Sequence, residues 1–367
     1  MADFDDDYWA ARDSSGEFPH EFVQTLAQAG WLGITMPEEF GGSGLGVFEA
    51  ALMMTEVAKR GGMTAASAVH MNIFGPKSLI KFGTPEQSKR WLPDIIAGKS
   101  RMCFAVTEPN TGLDTTRLKT RAVRKGDRYI VNGHKIWTST AQVADKIMLI
   151  ARTSERDDAN PTAGLSLFFA DMDRDAIDAR VIDKMGRKAI DTNELFIDNF
   201  EIPVEDLVGE EGKGFSYLLQ SLNPERILIA SEAVGLGLDA LRRATEYAKD
   251  RVVFERPIGM NQSIQHPLAA GWAHLEAARM MIFKAAALYD AGAPCGVEAN
   301  AAKYLAAEAA QDVCRQSMAT HGGMGYAREF HVERLFREVM IPYLAPVSQQ
   351  LALCYVAERG LGLPKSY

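Results

Sequence analysis

A double switch of hydrophobic period constrains this chain more than any other feature. Residues 17–99 follow a helical pattern, residues 101–209 break into short runs bounded by turns, and helical patterns return after Gly209. A chain that changes period twice needs separate layers for its helices and its strands. Three parts are therefore expected: a helical domain over 1–100, a β domain over 101–209 and a helical bundle over 210–367. The length of 367 residues agrees, because a single core rarely exceeds roughly 200 residues.

Local signals support that division. Thr84, Pro85 and Gln87 read as a capping box with proline at the first helical position. Runs at 102–106, 128–131, 147–151, 165–170 and 194–197 read as strands of an antiparallel sheet or small barrel. Lys125-Gly126-Asp127 and Asn132-Gly133 have the composition of tight turns between them. Ile227, Ala230, Val234, Leu238 and Leu241 recur at steps of three and four, as do Leu268, Trp272, Leu275, Ala278, Ile282, Ala285 and Tyr289. With further helical stretches at 301–319 and 347–359, a four-helix bundle is the simplest way to bury these faces. The fold class is α+β, mainly α.

Composition narrows the function. Apolar residues make up 47% and charged residues 24%, which is ordinary for a folded domain. Forty basic against 48 acidic residues give a net charge of −8 with no basic cluster, so nucleic acid is not an expected partner. Cys103, Cys295, Cys314 and Cys354 stand far apart without ligand spacing, so neither metal nor disulfide is expected. The first residues are acidic rather than basic, and no run approaches about 18 uninterrupted apolar residues; a cytoplasmic protein without a membrane span is the expectation.

Two segments carry the strongest local signal: Phe104-Ala105-Val106-Thr107-Glu108-Pro109-Asn110-Thr111-Gly112-Leu113-Asp114 and Gly133-His134-Lys135-Ile136-Trp137-Thr138-Ser139. Alone, the first is a strand running into a polar turn, and Trp137 reads equally well as a core aromatic. Together they resemble the flavin-binding strand and loop of the acyl-CoA dehydrogenase family. Arg251-Val252-Val253-Phe254 with Asn261-Gln262 is similar to that family's R-x-x-F-G…Q element, and His321-Gly322-Gly323-Met324-Gly325-Tyr326 to its G-G-x-G-Y element. The resemblance runs from about residue 18 to residue 361.

The resemblance implies FAD as cofactor, with Phe104, Val106, Thr107, Trp137, Thr138 and Ser139 along the flavin. It also implies that Arg251, Phe254 and Gln262 meet the FAD of a neighbouring subunit, and that Gly322, Gly323 and Ser348 belong to the cofactor set. Without the family, Arg251 would read as a solvated helix residue. The family frame further implies a homotetramer built as a dimer of dimers. Its activity is removal of two hydrogens from an acyl-CoA thioester to give the trans-2-enoyl-CoA, with electrons passed to an electron-transfer flavoprotein.

Such chemistry needs a base for the α proton, donors for the thioester oxygen and a hydride acceptor. Most family members carry the base as the Glu of a Y-E-G-T stretch. Counting without gaps from Gly322-Gly323, that stretch falls on Ala345-Pro346-Val347-Ser348, so Pro346 occupies the base position and brings no N–H. Leu222-Asn223-Pro224-Glu225-Arg226 resembles instead the subgroup with isovaleryl- and long-chain acyl-CoA dehydrogenases, which makes Glu225 the candidate base, with Asn223 and Arg226 on the substrate side. Seen alone, Asn223 could cap a helix whose first turn holds Pro224 and Glu225, and Glu225 would then only favour the helix dipole. Leu113 stands where the family usually has a Ser near substrate and phosphates, and Ala319 where a Gln precedes the double glycine. Two other readings are an acyl-CoA oxidase or other O2-using flavoenzyme on the same fold, and a non-catalytic flavin-binding subunit of a mixed oligomer.

Overall fold

The computed structural model describes residues 3–366. Five helices come first: α1 (Asp6–Ser15), α2 (His20–Gln28), α3 (Val47–Phe74), α4 (Lys77–Phe82) and α5 (Pro85–Ile96). The capping box forms as expected: the Gln87 N–H donates to Thr84 Oγ1 at 3.2 Å and the Thr84 N–H to Gln87 Oε1 at 2.9 Å.

The long helix α3 is broken at Gly62, whose φ of 71° and ψ of −162° are non-helical. A side chain there would be strained and would place its Cβ 2.6 Å from Glu338 Oε2. The freed backbone is taken up at once: the Thr64 N–H donates to Glu338 Oε2 at 3.1 Å, Thr64 Oγ1 donates to Oε1 at 2.6 Å, and Arg334 donates to the Gly61 carbonyl at 3.2 Å. The second half of α3, which carries Ser67 and His70, thus starts on a new axis.

The middle part contains β1 (Met102–Ala105), β2 (Arg121–Lys125), β3 (Arg128–Ser139), β4 (Lys146–Arg152), β5 (Leu165–Asp171), β6 (Ile177–Val181), β7 (Thr192–Pro203) and β8 (Leu207–Val208). Their order is β6-β7-β3-β2-β4-β5-β8, with β1 also on β4. Most pairings are antiparallel, while β1 and β2 run parallel to β4. Gly126, at φ 64°, turns β2 into β3 as expected. Asn132-Gly133 does not form the expected turn; it lies inside β3 at a register shift against β7, where a Cβ on residue 133 would come 2.4 Å from Thr120 Oγ1. Strand period two divides the core. Ile147, Leu149 and Ala151 of β4 join Phe168 and Ala170 of β5 on one face, while Met148 and Ile150 join Leu165, Leu167 and Phe169 against Trp91 of α5 on the other.

The last part begins with α6 (Gly214–Asp250), followed by the hairpin β9 (Val252–Val253) and β10 (Arg256–Pro257), then α7 (Gln262–Asp290), α8 (Gly296–His321), α9 (Val332–Glu338), α10 (Met340–Leu344) and α11 (Gln349–Tyr355). The Asn223-Pro224 pair does not start a helix, contrary to the local reading; α6 runs through it for 37 residues. Burial on α3, α7 and α8 overrides the interior-proline penalty of about 3 kcal/mol. By length and composition Val332–Gly360 resembles a membrane span, with mean hydropathy 1.3. It is not one helix, because extended backbone at Ala345 and Ser348 separates α10 from α11.

Small residues bring α3 and α6 into backbone contact: a Cβ on Gly235 would lie 2.2 Å from the Thr55 carbonyl oxygen. Gly235→Ala should therefore cost about 1–3 kcal/mol by overpacking. Thermal unfolding of the variant should show a lowered Tm, and an unchanged Tm would contradict this packing.

Candidate active site

Glu225 occupies the middle of the buried face of α6, 8% exposed. Its Oε2 is buried without a hydrogen-bond partner. Burial pushes its carboxyl up to about 7; His70 and Arg226 pull it down, Glu232 pushes it up, and Lys303 pulls it down. A carboxylate that is desolvated, singly free and half-ionised near neutrality is suited to proton transfer.

Charged neighbours come from four elements. Glu232, seven residues on and so two turns along the same face of α6, holds His70 Nδ1 at 2.5 Å. Burial opposes charge on His70, but the Glu232 carboxylate outweighs it and raises the imidazole above its ordinary range. Arg187, in the loop between β6 and β7, donates through Nη1 to Ser67 Oγ at 2.9 Å and through Nη2 to Ser139 Oγ at 3.3 Å. Lys303 of α8 is buried and donates to the Val347 carbonyl and Gln349 Oε1, each at 2.7 Å, and to the Tyr343 carbonyl at 3.4 Å. It thereby ties the segment containing Pro346 to the bundle, and burial lowers its own pKa to about 8. Arg226 donates to Asn223 Oδ1 at 3.1 Å, so those two neighbours of Glu225 are held together.

The flavin-side residues expected from the sequence meet this cluster from the sheet. His70 packs on Phe74 with ring centroids 4.8 Å apart, and Phe74 packs on Phe104 at 5.3 Å. The loop after β1 is shaped from beneath: buried Lys135 donates to the Val106 carbonyl and to Glu108 Oε1, both at 3.0 Å, and Glu108 also accepts from the Lys119 and Thr120 N–H groups. The Ile136 N–H closes the loop onto the Thr107 carbonyl at 2.9 Å. Trp137 follows with φ 63° and 58% exposure, an aromatic face presented outward beside the buried, unpartnered Thr138 Oγ1. An open aromatic face beside an orphan hydroxyl and a fixed backbone loop fits a planar, hydrogen-bonding ring such as flavin. Ser348 lies near the Lys303 tie, but its hydroxyl is engaged as the cap of α11, accepting from the Leu351 N–H at 3.2 Å. Leu113 is exposed on the loop before Asp114.

The remaining expected cofactor residues are elsewhere. Arg251 ends α6, 26 residues beyond Glu225, which is about 39 Å of helix at 1.5 Å per residue. Phe254, 94% exposed at φ 51°, tips the hairpin after it, and Gln262 opens α7. Gly322 and Gly323 belong to the same end, because His321 stacks on Tyr247 at 4.3 Å; a Cβ on either glycine would meet open space. Within one chain, then, the sequence-derived set forms two groups rather than one. His70, Arg187, Glu232 and Lys303 were not anticipated.

Three family descriptions match in order: Acyl-CoA dehydrogenase, N-terminal domain over residues 3–99; middle domain over 103–200; and C-terminal domain over 212–358. The chain is 35% identical to "Acyl-CoA dehydrogenase FadE12" of Mycobacterium tuberculosis, covering 100% of this chain and 94% of that protein. It is 33% identical to "Caffeyl-CoA reductase-Etf complex subunit CarC" of Acetobacterium woodii, over 90% of this chain and 86% of that one. Its fold superposes on butyryl-CoA dehydrogenase from Megasphaera elsdenii with TM-score 0.91 and 31% identity, covering 96% of this chain and 92% of the other.

The environment of Glu225 has a measurable cost. Its carboxyl rises from an ordinary 4.5 to about 7, so the unfolded chain ionises first and wild-type stability falls as pH rises between those values. At 1.36 kcal/mol per pKa unit this is about 3 kcal/mol. Glu225→Gln escapes it, so calorimetry should show the variant's stability advantage growing by about that amount from pH 4.5 to 7 and levelling above. An advantage independent of pH would show that Glu225 is not held in this environment.

Proposed function

Because the chain belongs to the acyl-CoA dehydrogenase family, flavoprotein oxidoreductases acting on acyl-CoA, we propose that it removes the α proton and β hydride of an acyl-CoA thioester to give the trans-2-enoyl-CoA, with Glu225 as the base. Its cofactor is FAD, which supplies the hydride acceptor when bound. The observation that carries the assignment is the buried, free Oε2 of Glu225, within the electrostatic reach of His70, while Pro346 stands at the family's more usual base position.

On this reading Glu225 takes the α proton in its ionised form, and burial sharpens its basicity. The β3 end would hold the flavin, with Trp137, Thr138 and Ser139 as the residues along it. Phe104, Val106 and Thr107 would line it from the end of β1. Asn223 and Arg226 orient the substrate beside Glu225, with Leu113 at the mouth. Arg251 lies about 39 Å along α6 from Glu225, at 1.5 Å per residue, and Phe254, Gln262, Gly322 and Gly323 belong to that end, so they serve the FAD of a second copy in a homotetramer. Ser348 belongs to the cofactor set only through its segment, its hydroxyl being occupied. An electron-transfer flavoprotein accepts the electrons, a reading supported by the relative named as a subunit of an Etf complex. An O2-using oxidase is the competing reading, supported by the likeness to the structure titled prolyl acyl carrier protein oxidase AnaB, 27% identical with TM-score 0.90 over 96% of this chain and 93% of that one.

Glu225→Gln should retain FAD and slow flavin bleaching by a good acyl-CoA roughly 10²–10⁴-fold, the usual contribution of a positioned base. Bleaching at the wild-type rate would remove Glu225 from the mechanism. In the wild type, kcat/KM should rise with pH through about 7, as the carboxyl ionises.

Two further outcomes test the partners. Flavin reduced by substrate under argon should stay reduced on admission of air and reoxidise quickly with electron-transfer flavoprotein; rapid reoxidation by air alone would establish the oxidase instead. Arg251→Ala should loosen FAD and the assembly together, seen as flavin loss on gel filtration with a smaller particle in light scattering.

A further inference from the structure

Arg187 is a buried guanidinium whose two recorded hydrogen bonds go to neutral hydroxyls, Ser67 Oγ at 2.9 Å and Ser139 Oγ at 3.3 Å. Its Nε has no partner. Glu232 of α6, Glu338 of α9 and Asp191 of its own loop attract it electrostatically without bonding to it among the described residues, and His70 of α3 and Lys184 repel it. Its backbone sits at φ 56°, a left-handed conformation that is strained for a residue with a Cβ. A buried charge without a bonded counterion, on strained backbone, is an expensive arrangement. A tie between α3 and β3 needs only a neutral hydrogen-bonding side chain, so the positive charge is left unexplained by structure alone.

The place of that charge explains it. Ser139 ends β3, on the stretch with Trp137 and Thr138 that we assign to the flavin, so the guanidinium lies just behind the flavin-facing surface. Acceptance of a hydride brings two electrons and one proton, which leaves the flavin ring with one additional negative charge, while the α proton goes to Glu225. A fixed cation in a low-dielectric surround stabilises that negative charge more than the neutral oxidised ring. We propose that Arg187 is an electrostatic residue for the bound FAD, fixed by Ser67 and Ser139 so that its charge raises the reduction potential of the flavin. The proposal rests on the reading that FAD lies against β3.

The test is the two-electron midpoint potential of the FAD-loaded protein, measured by dye equilibration for the wild type, Arg187→Gln and Arg187→Lys. Glutamine can keep bonds to Ser67 and Ser139 while removing the charge. Its potential should fall by at least about 30 mV, a tenfold loss of preference for the reduced form. Lysine keeps the charge and should recover at least half of that fall at neutral pH. A Gln variant with full FAD and an unchanged potential overturns the proposal, as does a Lys variant that stays as low as the Gln variant. If Arg187→Gln does not fold, Arg187→Lys decides alone. A buried lysine loses its proton at lower pH than arginine, so the potential of this variant should fall more steeply with rising pH than that of the wild type. Equal slopes overturn the proposal. A wild-type protein that takes up no FAD would instead undo the flavin assignment, a different failure from a flavin-loaded variant with an unmoved potential.

Discussion

The contact of α3 with α6 governs the rest of the site. Gly235 lets the two backbones touch at Thr55, and the break at Gly62 turns the second half of α3 so that His70 meets Glu232. Water is excluded from this crossing, and that exclusion raises the carboxyl of Glu225. An acid at the same place on an exposed helix would be fully ionised and hydrated, and would make a poor base near neutrality. The crossing therefore joins fold and chemistry: packing of small residues creates the low dielectric, and the low dielectric tunes the acid.

Burying this many charges in one region is tolerable only because their signs alternate through space. Glu232 faces His70, Glu108 faces Lys135, and Arg334 faces Glu338. The Glu108–Lys135 and Arg334–Glu338 pairs have further hydrogen-bonding partners, which is what a buried pair needs to offset its desolvation, whereas Glu232 keeps Oε2 without one. Glu225, like Arg187, stands outside these pairs. Its Oε2 is unbonded, and the opposing charges of His70, Arg226 and Lys303 act on it only through space. The proposed proton transfer needs a carboxylate left free in this way, since one saturated by donors would lose its basicity.

Much of this was legible in the sequence, and the misses have identifiable causes. Period switching anticipated the order of helical region, sheet and helical region, and the Thr84 box formed as read. Asn223-Pro224 was misread as a helix start because local capping chemistry competes with tertiary burial, and burial of both faces of α6 prevailed. Asn132-Gly133 has hairpin composition, yet the close approach of Thr120 uses its glycine for a bulge instead. Lys303 did leave a signal: it falls between Ala299, Ala302, Ala306 and Ala310, on the buried side of its helix. A lysine at a core position implies a buried acceptor set, here the carbonyls and amide of 343–349. Arg187 left no such signal, because its burial arises from a loop that meets three other segments in space.

That lysine also bears on how one fold can keep its base in either of two places. Lys303 bonds to the segment 343–349 and is, at the same time, electrostatically coupled to Glu225. The Pro346 segment is thus tied to a side chain whose charge also acts on Glu225. With Glu225 as the proposed base, the acid sits on a long helix fixed on α3, α7 and α8 rather than in the short connection between α10 and α11. That placement frees position 346 for a proline, whose ring needs no partner and gives no N–H. The donor for a thioester oxygen must then come from a group that keeps its N–H.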